Sequence, residues 1–151
     1  PSMEALLPTL VSRCQRIAFR RLDSEAMSQV LRQVGHAEIL QYPEILALAQ
    51  GSPGEAISQW QFLQSVPPEL LTQVAELPNS LRSLLELARS LDQGLEPDAQ
   101  LWLIDYLQQI YWQQGHAQRL PPLESARRYL NQYVQSRLVW EVTLLEMQAA
   151  G

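Results

Sequence analysis

Apolar positions along the chain recur every three or four residues, the spacing of one helix face, and few stretches alternate with period two. Leu, Ala, Gln, Glu and Arg, all good helix formers, fill the segments between ten prolines and six glycines. Asp23 or Ser24 is placed to cap a helix over about 24–34, with Ala26, Met27, Val30, Leu31 and Val34 as its apolar stripe and Gly35 as its stop. A short turn around 36–40 follows, then a helix from Pro43 through Ala49, ended by Gly51. In Ser52-Pro53-Gly54-Glu55 the serine can accept an orphan amide of the first turn, Glu55 can reach back to it, and Pro53 sits where its missing N–H costs nothing. That helix runs to about residue 65.

Val66-Pro67-Pro68 is the best boundary, since two prolines stop one helix and can start the next. Beyond it the pattern predicts helices over about 68–77, 79–93, 97–114 and 121–148, with Gly94 and Gly115 just past the second and third. The last would span about 42 Å at ~1.5 Å per residue. Leu123, Ala126, Leu130, Val134, Leu138, Val142 and Leu145 would share one of its faces. At the other end, Glu4–Leu7 reads as the close of a short helix and Pro8–Ser12 as one helical turn. Arg16–Arg20 alternates polar and apolar and suits an edge strand without a partner. The abrupt start and the orphan strand suggest a piece of something longer. The expected fold is all-α.

Charge refines this picture. All 11 basic residues are Arg, against 16 acids, for a net −5. Such a balance argues against a surface that is basic all over and binds nucleic acid by counterion release. The Walker A motif needs a Lys, so this chain carries no P-loop of its own. The basic residues bunch: Arg13, Arg16, Arg20 and Arg21 stand against Glu4 alone in residues 1–22, and seven Arg against fifteen acids follow. A single cysteine, Cys14, has no internal disulfide partner, which suits a reducing compartment. No apolar run approaches the ~18 residues of a membrane span.

Arg13 is the main candidate for chemistry. An Arg on a short turn at a domain edge can aim its planar fork at a phosphate, as an arginine finger does; it can equally pair with a surface carboxylate. Ser52–Glu55 reads as a phosphate-binding helix start or, since Glu55 would repel an anion, as a plain cap. Cys14, His36 and His116 fit no zinc spacing. Tyr106, Tyr111, Trp112, Tyr129, Tyr133 and Trp140 can stack on bases, but with little positive charge nearby they read better as core or subunit contacts. Asp92, Glu96 and Asp98 cluster at a helix junction, where capping explains them.

Leu6-Leu7-Pro8-Thr9-Leu10-Val11-Ser12-Arg13-Cys14-Gln15 resembles the motif that closes the ATPase domain in clamp-loader subunits of the AAA+ family. Gly51-Ser52-Pro53-Gly54-Glu55-Ala56 resembles the start of that family's last lid helix, and Arg137-Leu138-Val139-Trp140-Glu141 its closing collar helix. ATP-hydrolysing members carry a sensing Arg in a Gly-Ser-x-Arg pattern; Gly54 stands there instead, which implies a non-hydrolysing subunit. The family often has Asn-Pro where this chain has Gln135-Ser136. The resemblance implies that residues 1–21 are the tail of the ATPase core, 22–65 a three-helix lid and 66–151 a helical collar. It implies that Arg13, within Ser12-Arg13-Cys14, acts in trans on ATP held by a neighbour, while Ser52, Pro53 and Gly54 open a lid helix without a sensor. Tyr133, Arg137, Trp140 and Glu141 would lie at the collar interface. Expected partners are gamma or tau and delta subunits, with the sliding clamp and primer-template DNA reached through the full cytoplasmic complex. No cofactor, metal or membrane is expected of this portion, and no activity of its own; polymerase and ATPase activity would belong to the complex. Two alternatives stay open on the residues alone: the lid and collar of an ATP-hydrolysing gamma or tau type subunit, and a plain helical adaptor unrelated to ATPases.

Overall fold

The computed structural model describes residues 22–151; the readings made on Pro1–Arg21, including the short helix, the edge strand and Ser12-Arg13-Cys14, lie outside the described residues. Among the described residues there are eight α-helices and no strand. They are α1 (Ser24–Gln33), α2 (Pro43–Ala49), α3 (Pro53–Ser65), α4 (Pro68–Ala75), α5 (Leu81–Gly94), α6 (Pro97–Gln113), α7 (Leu120–Asn131) and α8 (Ser136–Ala150). Short 3-10 turns occupy Ala37–Gln41 and Ala117–Arg119. The chain divides into two compact units, Pro1–Trp60 and Gln61–Gly151, so α3 contributes to both.

In the first unit Asp23 caps α1, its carboxylate accepting the Ala26 amide at 2.8 Å. Helix α1 ends as its glycine requires. Gly35 takes φ +83, its amide donates to Arg32 O, and the His36 amide donates to Leu31 O. These paired bonds satisfy carbonyls that a helix end otherwise strands. Met27, Leu31, Ile39, Ile45, Ala49 and Ala56 form the core, and Tyr42 and Trp60 meet with ring centroids 4.9 Å apart. Val34, expected on the apolar stripe, is exposed, because the turn at Gly35 carries the chain away just beyond it.

In the second unit α8 packs chiefly on α5 and also on α7, while α6 packs on α7. Leu84, Leu87, Ala88, Leu91, Leu103, Ile104, Leu107, Leu123, Leu144 and Met147 fill the centre. Trp102 stacks between Phe62 (6.0 Å) and Tyr106 (4.9 Å). Tyr111 is enclosed, its hydroxyl donating to Val74 O and its ring lying 5.1 Å beneath the Arg119 guanidinium. An ion pair from Arg127 to Asp105 and a 3.0 Å bond from Gln108 to Glu124 tie α7 to α6.

Two expectations about helix ends are corrected here. Gly94 does not stand past α5 in a left-handed conformation; it is the last helical residue, and Leu95 ends the helix by turning extended and burying its side chain. The single helix expected over 121–148 is two. Tyr133 adopts φ +60, its amide donates to Leu130 O and the Val134 amide to Tyr129 O. This is the same paired closure that Gly35 makes in α1, here on a residue with a side chain. The break changes which residues share a face. Leu123 and Ala126 are buried, whereas Leu138, Val142 and Leu145 point to solvent; Val139, Trp140, Thr143, Leu144 and Met147 do the packing instead.

Candidate subunit interface

Helix α8 is apolar on two opposite sides. At ~100° per residue, Val139, Trp140, Thr143, Leu144 and Met147 make one side, directed into the unit. Leu138, Val142 and Leu145, spaced four and three residues apart, make the other, and they are 50%, 44% and 38% exposed. A helix that is apolar all round is normally enclosed all round. Fully burying such a side chain is worth about 1.5–3 kcal/mol, so covering the part of each still exposed would contribute roughly half of that. The stripe continues toward the break through Val134 and Tyr133, the latter 95% exposed.

The packed side of α8 holds this outer side in place. Trp140 is fully buried and donates from Nε1 to Gln100 Oε1 at 2.9 Å; Gln100 Nε2 in turn donates to Leu95 O at 3.0 Å. Gln100 is thus satisfied on both ends of its amide inside the core, which fixes α8 against α6 and the residues before it. Ser136, in the first turn of α8, donates to the Asp92 carboxylate on α5.

Of the residues expected at a collar interface, Tyr133 stands free of the unit. Arg137 and Glu141 pair with each other along α8 at 3.5 Å and are partly exposed. Trp140 faces inward, so its own chain encloses it and its part is to seat the helix. Leu138, Val142 and Leu145, expected to share one face with Leu123 and Ala126, are exposed where those two are buried, because the break at Tyr133 separates the two sets. The aromatic residues divide likewise: Tyr106, Tyr111 and Trp140 are buried, while Trp112, Tyr129 and Tyr133 are exposed.

At the start of α3, Ser52 Oγ accepts the Glu55 amide at 3.3 Å, so the cap forms. Glu55 does not reach back; its Oε1 accepts from Gln59 at 2.8 Å one turn on. Around Gly54 nothing lies within 4 Å of where a Cβ would stand, so packing within the described residues does not demand a glycine there. Cys14 and Arg13 fall outside the described residues. Among the described residues no group of three His, Cys, Asp or Glu is gathered as a metal would require, and no helix is long and apolar enough to cross a membrane.

No curated protein and no solved structure matches the chain. A family model does: Cyanobacterial DNA polymerase III delta prime, C-terminal domain, over residues 25–147. That span takes in every described helix of both units except the ends of the first and last. The chain therefore belongs to the family of DNA polymerase III delta prime C-terminal domains, as part of a clamp-loader subunit.

Proposed function

We propose that this chain is the assembling portion of a non-hydrolysing clamp-loader subunit, and that the outer side of α8 is where neighbouring gamma or tau and delta subunits pack to close a pentameric collar in the cytoplasm. The observation that carries the reading is the second apolar side of α8, Leu138, Val142 and Leu145, left uncovered by the unit's own helices. Tyr133, Arg137 and Glu141 border that stripe and supply polar and aromatic rim contacts, while Trp140 keeps the helix seated. Arg13 would then meet a neighbour's ATP as an arginine finger. The motif supports this role, as does Gly54 standing in place of a sensing Arg, which suits a subunit that does not sense or hydrolyse nucleotide of its own.

The test uses the full-length protein in the reconstituted loader. Leu138→Glu with Val142→Glu places two charges on the outer stripe, where they cost the fold little, and should abolish co-elution with the other subunits while circular dichroism stays unchanged. Arg13→Ala should leave co-elution intact and slow DNA-stimulated ATP hydrolysis. Arginine fingers are worth roughly 10³–10⁵ in rate; a smaller loss is expected where several sites share the work. Unimpaired assembly of the first variant removes the collar role, and an unchanged ATPase rate of the second removes the finger.

A further inference from the structure

Beside the start of α8 lies a shallow groove of about 340 Å³, lined by Leu81, Arg82, Leu85, Glu86 and Arg89 of α5 and by Arg137. Its charge is out of keeping with its surroundings. Residues 61–151 hold six arginines (82, 89, 119, 127, 128, 137) against ten acids, and three of the six edge this groove beside one Glu. Arg82 pairs with Glu86 at 3.3 Å on exposed helix surface and Arg137 with the half-buried Glu141, both one turn apart. Such pairs contribute about 0.3–0.5 kcal/mol and give way readily to a better partner. Arg89 has no ion pair among the described residues.

The floor is apolar. Leu81 is 58% exposed in the first turn of α5, and Leu85, one turn on, is half-buried beside it. Arg82 and Arg89 lie seven residues apart, two turns on the same side of α5, roughly 10 Å along its axis. A partner helix with carboxylates seven residues apart and a leucine between them matches both the spacing and the floor. Phosphates would find no partner on Leu81 and Leu85, and the net negative unit around the groove repels a polyanion at longer range.

We propose that this groove docks an acidic, leucine-bearing amphipathic helix of a partner protein, with Arg82 and Arg89 taking its carboxylates and Leu81 and Leu85 its leucine. This goes beyond the collar reading: of the residues placed at that interface only Arg137, on its rim, also edges the groove, and none of Leu138, Val142 and Leu145 lines it.

The probe is a fluorescein-labelled 15-residue helical peptide with Glu at seven-residue spacing and Leu on the face between, titrated into the 151-residue chain. Saturable binding that weakens with added salt is expected, with the Leu81 and Leu85 methyl resonances shifting on titration. The same peptide with Lys for Glu should not bind. Arg82→Glu with Arg89→Glu, both on exposed helix surface, should lower affinity at least about tenfold and leave circular dichroism and assembly of the full loader unchanged. Leu81→Ser offers a second variant that weakens binding without altering charge. Absence of peptide binding, or binding that leaves the Leu81 and Leu85 methyls unmoved, overturns the proposal. So does equal binding by polyglutamate or a single-stranded oligonucleotide, which would make the groove a general anion surface. Loss of loader assembly in the Arg82/Arg89 variant would place the groove inside the ring and overturn it as a separate docking site.

Discussion

Tyr111 shows how a single buried polar group sets a stability limit. Its phenol is enclosed, and burial raises its pKa above the usual 10.0, while the Arg119 guanidinium over the ring draws it part of the way back. The folded chain therefore holds this proton to higher pH than the unfolded chain does. Stability from that difference is fully present below about pH 10 and is lost as pH rises through the folded value. Tyr111→Phe removes the titration but also the bond to Val74 O, leaving a buried carbonyl without its donor. The variant should be about 1–3 kcal/mol less stable at pH 7. The gap to the parent should narrow above pH 10. Melting temperatures taken between pH 7 and 11 would show it; parallel curves would mean that the phenol does not ionise on unfolding.

At the scale of elements the informative place is the joint between α7 and α8. Tyr133 occupies a left-handed position that costs an L-residue with a side chain roughly 1–2 kcal/mol. Tyr133→Gly should therefore raise stability by about 1 kcal/mol and keep both helices, while weakening loader assembly through loss of the exposed ring. A drop in melting temperature would show that the ring itself stabilises the joint. The same joint marks what was legible in the sequence. The helix starts at Ser24, Pro43, Pro53, Pro68 and Pro97 follow from capping residues and prolines, and Gly35 and Gly115 stop their helices with φ +83 and +80. The break at Tyr133 has no such punctuation. Neither Gly nor Pro stands between 122 and 150, and the apolar spacing runs through it with no change of period. What decides the break is tertiary: Ser136 bonds to Asp92 and Trp140 to Gln100, and these partners lie 44 and 40 residues away in sequence. The cap of α3 at Ser52 is readable to one bond, but not the choice of Glu55 to face Gln59. The outer stripe of α8 is visible as apolar spacing but not its exposure, because spacing tells which residues share a face and not what the face meets.

For the molecule as a whole, the two units each close their own core. Leu31, Ile39, Ile45 and Ala56 are fully buried in the first; Leu91, Leu103, Leu107, Leu123, Trp140 and Met147 are fully buried in the second. Helix α3 spans the division between them, giving Ala56 to one core and Leu63 to the other. The four tryptophans divide between the units, Trp60 in the first and Trp102, Trp112 and Trp140 in the second, so the indole N–H resonances of Trp60 and the buried Trp140 report the two units separately. Leu31→Ala opens a cavity in the first core at a cost of about 2–5 kcal/mol. Under mild denaturant the Trp60 indole signal should then weaken well before that of Trp140, whose bond to Gln100 lies entirely within the second unit. Simultaneous loss of both signals would show that α3 transmits the defect and that the chain unfolds as one cooperative block. Separate loss would mean that the second unit keeps its core, and with it the outer stripe of α8, while the first unit opens.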